Sequence, residues 1–383
     1  MPADQPALFT PLTIRGRRFR NRVTISPMCQ HAGRDGFATD WHLVHYGKFA
    51  LGGAALVLTE STAVSADSRV GLADLGLWSD DHVPGLKRIA DFVHDHGALM
   101  GVQIAHSGRK AFSKPLWEGG RALSPEALDA MGADWRRVGP SAIAASGEWS
   151  VPEALSAAQI AEITQQHVDA ARRADAAGMD VLELHFGHGY LVASFLSPIS
   201  NHRDDAYGGG LDGRMRLAIE ITEATRAAWP EDKPLFVRLS CVDGAEGGWS
   251  LDDSVVLAQR LRDLGADVID CSSGGLSEET RRSNVPRGFG FQVPYAARIR
   301  KEIGIPTQAV GLITGPEQAE QIVAGGQADL VAIGRAALED PYWPAHAARA
   351  LGAEDFALWP LRHGAWLDKR EPVLRKLTEE AAQ

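Results

Sequence analysis

Eight short apolar runs punctuate the chain: RVTISPM from Arg22, AALVLTE from Ala54, LMGVQIA from Leu99, VLELHF from Val181, LFVRLS from Leu235, VIDCSS from Val268, PTQAVG from Pro306 and LVAIGR from Leu330. They are rich in β-branched residues and nearly continuous in their hydrophobicity, the pattern of parallel strands covered by helices on one face. The segments between them have helical period and recognisable ends. Before SAAQIAEITQQHVDAARRADAAG, Ser156 is placed to cap the first turn with Gln159 reaching back to it, and Gly178 supplies a left-handed stop. Ser250 and Gly265 bracket a second such helix, and Pro316 and Gly325 a third.

Strand and helix alternating eight times predict an α/β fold, a closed (β/α)8 TIM barrel, better than two open sheets. One domain spanning residues 1–383 is expected, with insertions at 107–155 and 274–293 and a C-terminal extension over 352–383 that carries Trp359 and Trp366. GGGLDG at 208–213 matches a dinucleotide fingerprint letter by letter, but the polar SNHRDDAY before it is no apolar strand, so the match is discounted.

Composition narrows the function. Of 383 residues, 45% are hydrophobic and 23% charged, as in a globular protein with a large core. Lys and Arg number 39 against 49 Asp and Glu, a formal net charge of −10, with no basic run to track a phosphate backbone, so nucleic acid is not an expected partner. No apolar run reaches membrane-spanning length and MPADQPALFTPL does not read as a signal peptide, so a cytoplasmic, non-membrane protein is expected. Cys29, Cys241 and Cys271 are an odd number at wide spacing, which favours reduced thiols over a disulfide framework or a C-x-x-C metal site.

Barrels of this kind place their chemistry at the C-terminal ends of the strands. Here those ends carry Met28 and Cys29, Glu60 and Ser61, Gln103 and His106, His185 and His188, Arg238, Ser272 and Ser273, Gly311, and Gly334 with Arg335. The glycines of the last two ends either admit an anion to backbone N–H groups, with Arg335 adding charge, or merely turn the chain. Buried cation at Arg238 asks for an anionic partner. HFGHGY leaves three readings of its histidines open: metal ligands, structural core residues, or two N–H donors to one carbonyl or nitro oxygen with Tyr190 placed to deliver a proton. A metal-dependent barrel hydrolase or lyase is therefore a rival, although only His106 is a further ligand candidate.

Taken in order, ISPMCQ, DWHLVHYGKFALGGAALVLTESTAV, VQIAHSGRK, LELHFGHGYLVASFLSPISNHRDDAYGG and LVAIGRAALEDPYWP resemble the Old Yellow Enzyme family, within it the branch with a cysteine after SPM, over about Leu8 to His346. The resemblance implies noncovalent FMN in the barrel mouth, with NADPH or NADH as hydride donor and no metal. It places Ser26, Pro27, Met28, Cys29 and Ser61 close to the ring, Gln103 and Arg238 on its pyrimidine edge, and Gly311, Gly334 and Arg335 on the phosphate. It makes His185 and His188 the grip on the substrate oxygen, Tyr190 the proton donor and Cys29 a neighbour tuning the flavin. The implied activity is ping-pong reduction of α,β-unsaturated carbonyl compounds, and of nitro compounds or nitrate esters, against the alternative of a flavin-binding barrel without turnover.

Three departures from the family pattern stand out. His31 replaces a tyrosine that contributes to substrate binding in relatives with this cysteine, which implies altered substrate preference and pH response. Gly210 and Gly213 replace Ser and Asn in a loop, which implies a looser loop. The tail lends an Arg or Trp to a neighbouring subunit in some relatives; Trp366 is the candidate here, Arg362 aligning poorly, and a homodimer or homotetramer is expected.

Overall fold

The computed structural model describes residues 5–130, 135–277, 285–353 and 356–382. All eight apolar runs become strands: β1 (Val23–Ile25), β2 (Leu56–Ala63), β3 (Leu99–Ala105), β4 (Val181–Phe186), β5 (Leu235–Ser240), β6 (Val268–Ser272), β7 (Thr307–Ala309) and β8 (Leu330–Ile333). Every strand pairs in parallel with its sequence neighbour, and β8 pairs with β1, so the sheet closes into a barrel. Helices α1 (Asp40–Leu51), α2 (Val83–Asp95), α3 (Ala157–Ala176), α4 (Leu211–Ala228), α5 (Leu251–Asp263), α6 (Val293–Ile303), α7 (Pro316–Ala324) and α8 (Trp343–Ala350) follow between and after the strands. The caps read from sequence hold: Ser156 N–H donates to Gln159 Oε1 at 2.9 Å, and Gly178 and Gly265 have φ of +79° and +94°. Such a cap stabilises a helix by about 1 kcal/mol.

Side-chain alternation divides each strand between two surroundings. On β4, Leu182, Leu184 and Phe186 join the apolar layer under the helices, and likewise Leu235, Val237 and Leu239 on β5 and Ile269 and Cys271 on β6. The other faces read Val181–Glu183–His185, Phe236–Arg238–Ser240 and Val268–Asp270–Ser272, and pairing puts His185 opposite Arg238 and Arg238 opposite Asp270. From bottom to mouth, the interior therefore passes from apolar, through charged, to polar hydrogen-bonding groups. An antiparallel hairpin, Leu12–Ile14 with Arg17–Phe19, closes the bottom, with the Phe19 ring stacked on Phe236 at 6.3 Å. That hairpin was not legible in sequence, because three-residue strands are too short to show a period.

The insertion after β3 is a knot of turns containing a short parallel pair, Val138–Gly139 with Glu153–Ala154, and two buried arginines tie it down. Arg109 Nη2 donates to Leu276 O at 2.8 Å, and Arg137 donates to the carbonyls of Ala111 and Leu123. Of the two loop glycines, a Cβ at Gly210 would meet nothing within 4 Å, whereas Gly213 is tightly packed. A Cβ at Gly213 would lie 2.1 Å from Gly208 O, so the first turn of α4 packs directly on that backbone and only glycine fits. The second insertion falls partly outside the described residues, at 278–284. In the tail, helix α9 (Leu361–Ala381) is mostly exposed and is anchored by Arg349 to Glu371 at 2.9 Å and by Trp359 stacked on Tyr342 at 4.8 Å.

Candidate active site

The floor of the mouth is the charged layer. Arg238 is buried; its Nη1 donates to Ser26 Oγ at 3.1 Å, and its Nε lies 3.5 Å from Asp270 without a hydrogen bond of good geometry. Gln103 Nε2 donates to Glu183 Oε1 at 2.8 Å, which turns the amide oxygen of Gln103 away from that acid. Burial first, and then the charge of Asp270, raises the Glu183 carboxyl well above the carboxylate range; burial likewise raises Asp270. Both acids lie in one buried layer with Arg238, whose positive charge opposes the rise at each.

Above this floor stands the histidine pair. His188 Nδ1 is 3.2 Å from His185 Nε2, and the ring centroids are 4.9 Å apart. Burial, followed by the positive charges of Arg238 and Lys110, holds both imidazoles well below the usual histidine pKa, so both are neutral at pH 7. His188 has φ of +59°, held by its N–H donating to Ser240 Oγ at 2.8 Å and by Lys110 Nζ bonding its carbonyl at 2.8 Å. Tyr190 stands 5.2 Å from the His185 ring, and burial raises its phenol far above the ordinary value, so it keeps its proton.

Tyr190, Cys29, His31, Lys110, Trp149 and Leu276 are among the residues lining an open cleft of about 420 Å³. Burial, then the charges of Asp74 and Glu60, raises the Cys29 thiol, so it is protonated. His31 Nδ1 lies 3.0 Å from Asp74 Oδ1. Burial lowers the pKa of His31, but the adjacent Asp74 carboxylate outweighs it and the net shift is upward.

At the ends of β7 and β8, Gly311 has φ of +116°, and a Cβ on Gly334 would meet only Met28 Sδ at 3.8 Å and Ser26 Cβ at 3.9 Å. Open space therefore adjoins the Ser26–Pro27–Met28 turn and a cation, Arg335, that is exposed at the start of the short helix Arg335–Glu339. Ser61 is buried and paired in register with Gln103 beyond a bulge in β2. An orphaned buried Arg238 Nε, an amide oxygen at Gln103 and a glycine-walled cradle beside a cation together suit a flat polar ring with an anionic tail.

Two expected residues stay apart from this group. His106 Nδ1 accepts from Gly108 N–H at 3.0 Å, and burial lowers its pKa to about 4, so it serves its own turn. Trp366 is 73% exposed on α9 with Lys369 over its ring, and is not brought to the mouth of its own barrel. Sequence reading placed Glu60 at a strand end without seeing what it holds. Glu60 accepts from Gln30 N–H at 2.6 Å and pairs with His42 at 3.0 Å, fixing the turn that carries Cys29. Lys110, Ser240, Asp270 and Gln292 were also passed over, although alternation counted back from the strand ends marks Ser240 and Asp270 as inward-facing.

Fold and site thus define a (β/α)8 barrel with an open mouth, in which paired neutral histidines stand above an acid–arginine floor. Residues 7–354 match the model of the NADH:flavin oxidoreductase / NADH oxidase family, and the chain belongs to that family. It is 43% identical over 347 residues to an NADPH dehydrogenase of Geobacillus sp. (strain WCH70), covering 90% of this chain and 94% of that protein. Among solved structures, a 2-naphthoyl-CoA reductase complex superposes with a TM-score of 0.80 at 26% identity, over 90% of this chain but only 52% of that longer one. The old yellow enzyme homologue of Zymomonas mobilis gives a TM-score of 0.73 at 25% identity, over 93% and 97% of the two chains. The protein is an FMN-dependent NAD(P)H oxidoreductase of the Old Yellow Enzyme type. Among the described residues no helix is long and apolar enough to cross a membrane, and no three His, Cys, Asp or Glu side chains cluster as a metal site.

Proposed function

We propose that this enzyme reduces the activated C=C bond of α,β-unsaturated carbonyl compounds. The observation that carries the reading is the pair of neutral imidazoles with nitrogens 3.2 Å apart, beside a tyrosine that keeps its proton. In this reading Ser26, Pro27, Met28, Cys29 and Ser61 bound the ring of FMN, Gln103 and Arg238 meet its pyrimidine edge, and Gly311, Gly334 and Arg335 take its phosphate. FMN held there would supply hydride transfer between NADPH and the β-carbon of the alkene. His185 and His188 hold the carbonyl oxygen and stabilise the negative charge it gains, and Tyr190 gives its proton to the α-carbon. Cys29 stands as a neutral thiol beside the ring, and His31 meets the substrate from the cleft. The same two donors accommodate a nitro oxygen.

Spectroscopy under anaerobic conditions tests the assignment. NADPH bleaches the visible flavin band, and cyclohexenone added afterwards restores it. A flavin that bleaches but is not reoxidised by the enone overturns the alkene reading in favour of a barrel that binds flavin without this turnover.

A further inference from the structure

Glu60 lies in β2, fully buried, and reaches the turn after β1. One carboxyl oxygen, Oε2, accepts from Gln30 N–H at 2.6 Å, and the other, Oε1, lies 3.0 Å from His42 Nε2. The start of α1 settles which way that second bond runs. Thr39 N–H donates to His42 Nδ1 at 3.0 Å within the capping box of the helix, so Nδ1 is the accepting nitrogen and the ring hydrogen sits on Nε2, facing the acid.

Both short contacts of the carboxyl therefore come from donors, one to each oxygen. Tyr46 adds to them: its hydroxyl oxygen accepts from Glu60 N–H at 2.9 Å, which leaves its own hydrogen to point at Oε1, 3.5 Å away. Burial raises this carboxyl, and the bonds from His42 and Gln30 oppose it. An acid hydrogen would find no acceptor among these partners, so Glu60 is ionised. Asp74, the other acid near the turn, accepts from Gly71 N–H at 2.7 Å and stands by His31 instead.

We propose that Glu60 is a positioning residue for the flavin reaction: a buried carboxylate that holds the Cys29 turn through Gln30 N–H and lays a negative charge beside the ring, making FMN harder to reduce. This rests on the reading that Cys29 borders the ring. A hydride adds one negative charge to the flavin, so a fixed negative charge nearby disfavours the reduced form and favours onward transfer. An amide could not do the same, since it has one oxygen for two donors and its NH2 would face the other.

Equilibration of the FMN-loaded enzyme with a redox dye reads the potential. Glu60→Gln is expected to move the ratio of reduced to oxidised flavin about 10-fold toward reduced, or about 30 mV for a two-electron couple. Glu60→Asp, which keeps the charge on a shorter arm, stays nearer the wild type. A Glu60→Gln enzyme at the wild-type potential overturns the proposal, and so does a Glu60→Asp enzyme shifted as far as Glu60→Gln, the mark of packing alone. Nitrogen NMR of histidine-labelled wild-type enzyme adds a reading that needs no variant at Glu60: His42 carries its hydrogen on Nε2, and a hydrogen on Nδ1 overturns the proposal. None of these measurements uses an alkene, so a flavin that cyclohexenone fails to reoxidise sinks the alkene reading and leaves this one to be decided by the potential.

Discussion

Two histidine environments at the strand ends of the barrel behave oppositely. His31 sits against Asp74 and is pushed toward its charged form, whereas His185 and His188, over Arg238 and beside Lys110, are pushed toward neutrality. Burial acts in the same direction on all three; the sign of the neighbouring charge decides the outcome. The turn after β1 thus carries a histidine pushed toward its charged form, and the end of β4 a pair of neutral imidazoles. Their effects on stability are also opposite. The His31–Asp74 pair contributes stability that is complete below about pH 6.5 and is lost as pH rises through the raised folded pKa. The neutral pair leaves stability intact above about pH 6.5 and erodes it as pH falls, because the unfolded chain then takes up protons the folded site refuses.

Removing a neutral donor should have the largest effect. His185→Ala is expected to slow the enone-driven reoxidation by about 10²- to 10³-fold, the usual loss for one oxyanion donor, with flavin reduction by NADPH less affected. Stopped-flow measurement of the two half-reactions checks it, and an unchanged reoxidation rate removes the clamp. Tyr190→Phe should cost about 10-fold or less, under the usual range for a lost general acid because the cleft is open to water. Product deuteration at the α-carbon follows the change of proton source.

The pH profile sharpens the comparison further. Because the pair is neutral, no limb from His185 or His188 appears between about pH 6.5 and 8; the limb that does appear belongs to His31 and lies above 6.5. Asp74→Asn removes the opposing charge, so that limb moves to lower pH, and a limb that stays in place assigns the titration elsewhere. The smallest effect is expected outside the mouth: Trp366→Ala should change stability by about 0.5 kcal/mol or less in thermal unfolding, since its side chain is largely exposed. A larger loss that depends on protein concentration would mean that Trp366 is covered by another copy of the chain.

Much of the site was legible because the residues that meet small molecules cluster at strand ends, and strand ends can be counted. Cys29, Gln103, His185 and Arg238 lie where that counting puts them. Glu183 was not singled out, yet it accepts from Gln103 Nε2 and is pushed toward its protonated form by burial and by the charge of Asp270. Its partners lie 80 and 87 positions away in sequence, and only barrel closure brings them together. Gly213 was misread for a similar reason: glycine looks permissive in a sequence, but here its value is the absence of a Cβ against Gly208.

The sequence alone determined the eight strands, the capped helices between them and the set of polar groups at one end, because these follow from local period, local capping and position within a run. Tertiary structure decided charge and proton placement. Whether an imidazole is neutral, which of its nitrogens carries hydrogen and which acid keeps a proton depend on burial and on groups brought within a few ångströms from distant strands, and neither quantity is local in the chain.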